Sequence, residues 1–446
     1  MNYQEKIFWW KNYWLRKRAY IAFQEAMHYD MMSAEEKMKL EFERQKDIVN
    51  YAYMHVPYYR ECYQAHGFHP DQLKNPSDWD LVPFLEKGVL RYHAESVLSD
   101  EYKKSDLIVA TTSGSTGHPL KVYKDPSACL EVMGWRGLDW WDISPSANMA
   151  KLHRKAANTF VEKLKNRILW WPTKRAYLNA TSALTDSVFK EFVTELNSLE
   201  IEWMQGYCSL IESVADYVIK SGHEVRPLKT VWCTSAPLKM PVRKKMEKAF
   251  HCKIMDQYGC NEMWNIAIQK KDEPYLTVSS DFVHVDTVSN EGKQTKTNEK
   301  GEILITDLKC KAFPLIKYRL GDRGSFAKMP SESEDGYPKL NFVDGRTSDN
   351  IILKNGTVID GVYLTAICDD YPDTIDAYQI YQSNDYSITI KLVLKEQNEE
   401  SRHAVDKILE TVTKTVGDPN LCKVELLNHI QDTNGKKRYI ISEIKR

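Results

Sequence analysis

Apolar residues recur at three- and four-residue spacing along much of the chain, which predicts amphipathic helices. The clearest case is residues 186–199, where one face carries Phe189, Phe192, Val193 and Leu196. Helical spacing also fits residues 208–220 and 240–250, and each of these segments alternates with a short apolar run that predicts a strand. The predicted strands are residues 201–205, 231–234 and 253–255. Strand, turn and helix in alternation indicate an α/β domain, whose ligands lie beyond the carboxyl ends of its strands.

The first hundred residues predict a helical region. Ser33 and Glu36 form a capping-box pattern, and the helix that follows should end at Val56, before Pro57. Aromatic side chains crowd the segment before it, at Phe8, Trp9, Trp10, Tyr13, Trp14 and Tyr20. A helix lying on a membrane surface is one interpretation. We favour a packed N-terminal arm, because aromatic stripes usually mark burial.

Composition narrows the class of protein. A chain of 446 residues is too long for one ordinary core, so more than one domain is expected. Its 61 basic and 62 acidic side chains give no electrostatic case for binding nucleic acid. No apolar run has the length of a membrane span, and the N-terminus lacks the core of a signal peptide. Nine scattered cysteines without a CxxC pair are typical of reduced thiols and favour a cytoplasmic protein.

The stretch from Ile108 to Tyr123 carries the strongest chemical signal. An apolar run, Ile108-Val109-Ala110, predicts a buried strand, and Leu120 to Tyr123 predicts a second strand. Between them lies an unbroken series of hydroxyl residues and glycines, namely Thr111, Thr112, Ser113, Gly114, Ser115, Thr116 and Gly117. Consecutive backbone amides of such a loop form a concave anion site, and glycine lets the chain approach a polyphosphate. No Gly-Lys-Ser/Thr opens a helix, so this is not a Walker A loop, and the strand-like flanks argue against a flexible linker.

Two acidic side chains follow aromatic residues in motifs further along the chain. Glu262 lies after Tyr258 and Gly259, and a carboxylate there can join phosphate oxygens in holding Mg²⁺. Asp322 ends the motif that starts at Tyr318, and a carboxylate accepts paired hydrogen bonds from ribose hydroxyls. Taken singly, Glu262 could be a solvated residue of a first helical turn and Asp322 an ordinary turn aspartate.

In their order along the chain these motifs resemble those of the adenylate-forming (ANL) superfamily, and within it the phenylacetate–CoA ligase and CapK-like group. The resemblance runs from about Phe42 to the C-terminus and includes Gly345 to Asp349, similar to the family's hinge, and Asn434 to Arg438, similar to its Gly-Lys loop. It implies the catalytic residues Lys436, Glu262 and Thr116, with Lys437 as the alternative to Lys436. It also implies a nucleotide site made by Thr112, Ser113, Gly114, Ser115, Thr116, Gly117, Ser235, Ala236, Pro237, Gln257, Tyr258, Gly259, Asp322 and Arg346.

Three departures from the family pattern stand out. His118 replaces a lysine that is frequent in the phosphate loop, and Ser348 replaces an acidic hinge residue. Residues 270–278 lack the cysteine that many relatives carry, so we expect no metal other than Mg²⁺ held by Glu262. Aromatic side chains at Trp135, Trp140, Tyr207 and Trp264 hint at an apolar or aromatic pocket.

The resemblance implies a large N-terminal α/β adenylation domain, residues 1–344 with the helical region to about residue 100, and a small mobile α+β domain, residues 345–446. The implied reaction activates a small carboxylic acid with ATP and Mg²⁺ to an acyl-adenylate, which then passes to CoA, a carrier protein or an amine. Two alternatives remain: a transferase of capsular or surface polysaccharide assembly, and a non-catalytic nucleotide-binding homologue. The sequence leaves the acid, the acceptor and the oligomeric state open.

Overall fold

The computed structural model describes residues 1–112, 120–153, 168, 170–179, 184–235, 238, 240–289, 291–341, 343, 351–355, 357–359, 364–365, 367–368, 370–371, 374–430 and 439–444. The chain divides into two compact units. The first comprises Met1–Thr112, Leu120–Pro145 and Met255–Gly345, and the second comprises Ser113–Pro119, Ser146–Ile254 and Arg346–Arg446. One break falls between Gly345 and Arg346, and the division into domains 1–344 and 345–446 remains a prediction.

The helices of the first unit lie mostly in its N-terminal part. They are α1 (Tyr3–Leu15), α2 (Lys17–Met31), α3 (Ala34–His55), α4 (Pro57–Ala65), α5 (Lys87–Tyr92) and α6 (Glu131–Asp139). The predicted capping box of α3 is confirmed, since Ser33 and Glu36 bond reciprocally to each other's backbone amides. The predicted end is confirmed as well: Val56 caps α3, and Pro57 opens α4.

The strands of the first unit form a hairpin and antiparallel sheets. They are β1 (Ile108–Thr112), β2 (Leu120–Lys124), β7 (Ile254–Tyr258), β8 (Ala267–Gln269), β9 (Leu276–Val278), β10 (Val283–Val288), β11 (Gly301–Asp307), β12 (Tyr318–Gly324), β13 (Phe326–Lys328) and β14 (Lys339–Leu340). Strands β10, β11 and β12 pair in that order, and β7, β8, β9, β14 and β13 follow one another in a second antiparallel arrangement.

The second unit contains the predicted strand–helix alternation and a C-terminal α+β part. Its elements are β3 (Met149–His153), β4 (Arg175–Asn179), α7 (Asp186–Ser198), β5 (Trp203–Tyr207), α8 (Cys208–Ser221), β6 (Thr230–Thr234), α9 (Met240–Phe250), β15 (Ile351–Ile352), β16 (Val358–Ile359), β17 (Ile375–Gln382), β18 (Ile388–Leu394), α10 (Glu399–Val416), β19 (Cys422–Leu426) and β20 (Ile440–Ser442). Strands β6, β5, β3 and β4 are parallel neighbours, whereas β19, β18, β17 and β20 form a mixed sheet. The predicted α/β class with a small α+β part is confirmed.

Helix α7 shows how the apolar pattern produces this packing. Its buried residues are Phe189, Phe192, Val193 and Leu196, the four that the sequence placed on one face. They join a core with the inner faces of β3 to β6 and with α8 and α9. Burying one such side chain stabilises the fold by roughly 1.5–3 kcal/mol.

The aromatic N-terminal segment packs on one side only. Trp9 stacks on Phe23 with ring centroids 4.6 Å apart, and Phe8 meets Trp135 edge to face at 5.6 Å. The predicted packed arm is therefore confirmed for that side, while Trp10 and Trp14 on the other side stay largely exposed. Within the part of the chain that the structure describes, no helix combines the length and apolar character that crossing a bilayer requires.

A buried charged cluster joins α3 to the first antiparallel sheet. His284 lies 2.6 Å from Glu41 and 3.2 Å from Asp286 through its two ring nitrogens. Burial by itself would lower the pKa of His284, but the two carboxylates outweigh it and raise the pKa to about 10. The pKa of Asp286 falls to about 2 despite burial, because His284 and Lys317 favour its charged form.

Stability is expected to fall in alkaline solution because His284 is protonated in the fold. The pKa of His284 is about 10 in the folded chain and about 6.5 in the unfolded chain. The bound proton therefore stabilises the fold fully below about pH 6.5, and this stabilisation is lost as the pH rises through about 10. His284→Gln should cost roughly 3 kcal/mol near neutral pH by removing the cation that lies between the buried Glu41 and Asp286 carboxylates. Denaturant unfolding across this range measures both effects, with the exposed His69→Gln as control. Equal unfolding free energies for parent and His284→Gln at neutral pH would contradict the prediction.

Candidate nucleotide and carboxylate-activation site

The hairpin of β1 and β2 flanks the predicted phosphate loop. The two strands pair antiparallel from Ile108 with Lys124 to Thr112 with Leu120, so both predicted strands are confirmed. The burial predicted for β1 is wrong, since Ile108 is 58% exposed and Val109 is 52% exposed. Among the described strands β1 pairs only with β2, and a two-stranded ribbon leaves part of its apolar surface uncovered.

The turn between β7 and β8 places Glu262. Gly259 is required there, because a Cβ at this position would lie 1.8 Å from the carbonyl oxygen of Trp264. Two backbone hydrogen bonds close the turn, from the Trp264 amide to the Cys260 carbonyl at 2.6 Å and from the Ile266 amide to the Tyr258 carbonyl at 2.9 Å. Glu262 is thereby held in a compact turn with only 9% exposure, and the alternative of a solvated side chain in a helical first turn is wrong.

A bulge in β12 places Asp322. The pairing of β12 with β11 shifts between Glu302 and Leu304, and Gly321 adopts a φ of 80°. Such a φ is readily available to glycine, and bulges of this kind redirect the side chains beside them.

Two hydrogen bonds connect β12 to β7 and to the turn that follows β7. The Tyr258 hydroxyl donates to Asp322 Oδ2 at 3.0 Å, and the Tyr318 hydroxyl donates to Glu262 Oε1 at 3.2 Å. Tyr258, a residue of the implied nucleotide site, is thus in direct contact with Asp322, the predicted ribose acceptor, although 64 positions separate them in the sequence. Sequence reasoning treated Tyr318 only as part of a motif, whereas its hydroxyl holds the predicted metal ligand.

Two further side chains surround Glu262. Burial lowers the pKa of Lys124, at the end of β2, and the nearby Glu262 carboxylate opposes that shift. Burial and the Glu262 carboxylate raise the pKa of Cys260 well above its usual value, so this thiol is protonated at neutral pH and is no nucleophile. Sequence reasoning missed Lys124, whose only signal was its position after the phosphate loop.

The remaining predicted residues fall into two sets. Ser235 lies at the end of β6 with a φ of 75°, a strained value for a residue other than glycine, and Gln257 is half-buried at the end of β7. The other set lies outside the described residues: Ser113, Gly114, Ser115, Thr116, Gly117, His118, Ala236, Pro237, Arg346, Ser348, Asp349, Lys436 and Lys437, together with the side chain of Thr112.

The four candidate aromatic residues have different surroundings. Trp135 packs against Phe8 and Trp9 of the N-terminal arm, and the indole of Trp140 donates to Asp30 at 3.0 Å. Tyr207 lies at the carboxyl end of β5, with its ring 4.7 Å from that of His153 at the end of β3. Trp264 is 45% exposed in the turn after Gly259. Trp135 and Trp140 are thus engaged in contacts within the first unit.

Comparison with known proteins adds an independent line of evidence. Residues 351–443 match the CapK C-terminal domain family. The chain is 22% identical to protein CapK of Staphylococcus aureus over 91% of its own length and 89% of that protein. It is also 22% identical to phenylacetate-coenzyme A ligase of Aromatoleum evansii, over 84% of this chain and 86% of that enzyme. The chain resembles the CapK and phenylacetate–CoA ligase group of adenylate-forming enzymes.

Solved structures agree on the fold. The chain superimposes on 2-hydroxyisobutyryl-CoA ligase, in complex with 2-HIB-AMP and CoA in the thioesterification state, with a TM-score of 0.62 and 19% identity. That likeness covers 92% of this chain and 90% of the ligase. The predicted resemblance, the adenylate-forming fold and the predicted class of enzyme, an AMP-forming ligase, are confirmed.

Proposed function

We propose that this chain joins a carboxylic acid to the AMP part of ATP, releases pyrophosphate, and passes the acyl group to CoA. The observation that carries the proposal is the hydrogen bond between Tyr258 and Asp322. It sets an aromatic ring beside a carboxylate, and adenosine presents a flat base beside a pair of ribose hydroxyls. The ring would flank the base, and Asp322 would accept hydrogen bonds from the ribose.

Glu262 is suited to hold Mg²⁺. The ion prefers oxygen ligands and is commonly bound by one or two carboxylates together with substrate phosphates. One carboxylate oxygen is fixed by the Tyr318 hydroxyl, which orients the group. Among the described residues no cluster of three or more His, Cys, Asp or Glu side chains forms a metal site, so phosphates would complete the coordination. Bound there, Mg²⁺ would offset part of the negative charge of ATP.

The proposed first step is an in-line displacement at the α-phosphorus. A carboxylate oxygen of the substrate forms a bond to this phosphorus, and the bond to the pyrophosphate oxygen breaks. The acid is already ionised near neutral pH, so no side chain has to remove a proton. The chain's contribution is to position the two reactants and to stabilise charge, which we assign to the phosphate loop with Thr116 and to Lys436.

Transfer to CoA is the proposed second step. The CoA sulfur attacks the acyl carbon, AMP leaves, and the thiol proton passes to solvent. The choice of CoA as acceptor is supported by relatives that are named as coenzyme A ligases. Incubating a pre-made acyl-adenylate with CoA or with a primary amine, in the presence and absence of the chain, distinguishes catalysed thioester formation from catalysed amide formation by mass spectrometry. Amide formation with no thioester would replace CoA by an amine acceptor.

Glu262→Gln should impair the use of Mg·ATP by roughly tenfold or more while leaving the fold intact. The amide keeps the size of the side chain and can still bond to Tyr318, but it lacks the negative charge that Mg²⁺ requires. The measurement is carboxylate-dependent exchange of labelled pyrophosphate into ATP at limiting Mg²⁺.

Tyr318→Phe is the matched control, because it removes only the hydroxyl that orients Glu262. We expect a smaller loss for this variant than for Glu262→Gln. Parent-like exchange by Glu262→Gln at limiting Mg²⁺ would remove Glu262 from the metal site.

A further inference from the structure

The exposed face of α1 is lined with aromatic side chains. Tyr3, Trp10 and Trp14 are 71%, 64% and 67% exposed, and their spacing of seven and four residues places them on one side of the helix. Tyr13, 45% exposed, contacts Trp14 edge to face at 5.4 Å. Contiguous exposed patches of this kind usually mark an interaction surface. The opposite face of α1 is already occupied, since Phe8 and Trp9 pack against Trp135.

Basic side chains are frequent in α1 and at the start of α2. Residues 1–18 contain five basic residues and one acidic residue, whereas the whole chain has a net charge of −1. Lys6 is exposed between Tyr3 and Trp10, and Lys17 and Arg18 are exposed at the start of α2. Among the described residues these three cations form no ion pair, whereas Arg16 bonds to Glu131.

We propose that this face, made of Tyr3, Lys6, Trp10, Tyr13, Trp14, Lys17 and Arg18, docks onto an anionic lipid bilayer. Tryptophan and tyrosine rings sit favourably at the level of lipid headgroups, and lysine and arginine are attracted to anionic lipids. A helix that shows rings and cations to solvent while lying on its own core has the properties of an interfacial anchor. The proposal is independent of the reaction proposed above and adds a membrane surface as partner.

The charge distribution disfavours other occupants. A two-fold contact with a second copy would place the same cations opposite one another, which is repulsive. Proteins that bind single-stranded nucleic acid also combine aromatic and basic side chains, but they place them along a groove that follows the strand. The aromatic side chains of the proposed face project from a single helix, α1.

Sedimentation of the full chain with lipid vesicles tests the proposal. We expect binding to vesicles of phosphatidylcholine with phosphatidylglycerol, weaker binding to phosphatidylcholine alone, and loss of this preference at high salt. Trp10→Ser with Trp14→Ser should reduce binding roughly tenfold or more. Lys6→Gln with Lys17→Gln and Arg18→Gln should abolish the preference for anionic vesicles. Matched controls are Met54→Ser, at an exposed apolar site of α3, and Lys39→Gln with Lys74→Gln at exposed basic sites.

Fluorescence quenching gives a second test that uses only conservative substitutions. Brominated phospholipids should quench the tryptophan fluorescence of the parent chain, and the conservative pair Trp10→Phe and Trp14→Phe should remove most of that quenching. Failure of the parent chain to bind anionic vesicles would overturn the proposal, as would equal binding by the Trp10→Ser, Trp14→Ser variant. A parent dimer that dissociates in this variant, or binding to a single-stranded oligonucleotide in preference to vesicles, would assign the face to a different partner.

Discussion

Asp322→Ala is expected to weaken ATP binding tenfold or more. A hydrogen bond to a charged group contributes roughly 1.5–3 kcal/mol, and Asp322 would accept such bonds from the ribose. The substitution also removes the acceptor of the Tyr258 hydroxyl, so the ring proposed to flank adenine loses its anchor. Isothermal titration calorimetry with ATP measures the combined loss.

Two variants separate these contributions. Tyr258→Phe removes the hydroxyl and keeps both the ring and Asp322, so it should bind ATP more tightly than Asp322→Ala. Glu291→Ala, at a site 77% exposed, is the control for loss of an acidic side chain and should bind ATP as the parent does. An Asp322→Ala affinity equal to that of the parent would remove the ribose role.

Lys436→Ala is expected to abolish most of acyl-adenylate formation while sparing the second step. A cation that meets charge developing in the transition state is worth about 10²–10³ in rate. Lys436 lies in a glycine-containing loop near the end of the chain, and the motif at Gly345 resembles the family's hinge. Domain closure concentrated at a few hinge positions could deliver this lysine for the first step only.

Paired assays test that step specificity. Pyrophosphate release from ATP should fall in Lys436→Ala, whereas consumption of a synthetic acyl-adenylate in the presence of CoA should continue. The adjacent Lys437→Ala is the matched control and should keep both activities. An equal fall of both steps in a folded Lys436→Ala chain would contradict the step-specific role, and no fall in either would transfer the assignment to Lys437.

The sequence predicted well those features of helices and strands that depend on residues close together in the chain. The apolar face of α7 and the ends of α3 depend on residues close in sequence, and the structure reproduces them. The alternation of strands and helices could also be predicted, because hydrophobic residues recur with a different period in a strand than in a helix. Strand ends were less accurate: the run predicted at 201–205 is observed as Trp203–Tyr207.

Contacts between distant residues could not be predicted in the same way. The pairing of Tyr258 with Asp322 depends on the register of β12 and on the bulge at Gly321, and neither leaves a periodic signal. The exposure of Ile108 was missed for a related reason, since an apolar run predicts a strand but does not say whether another layer covers it. The N-terminal arm packs on one side only, with Trp9 packed and Trp10 exposed, and a run of aromatic residues does not reveal which of them will be covered.

The central claim, activation of a carboxylic acid by ATP, is tested most directly by exchange of labelled pyrophosphate into ATP across a panel of aryl, fatty and amino acids. We predict exchange that requires Mg²⁺, depends on one class of acid, and needs a higher ATP concentration in Asp322→Ala. Binding of ATP without exchange for any acid, or acyl transfer that proceeds without ATP, would contradict it.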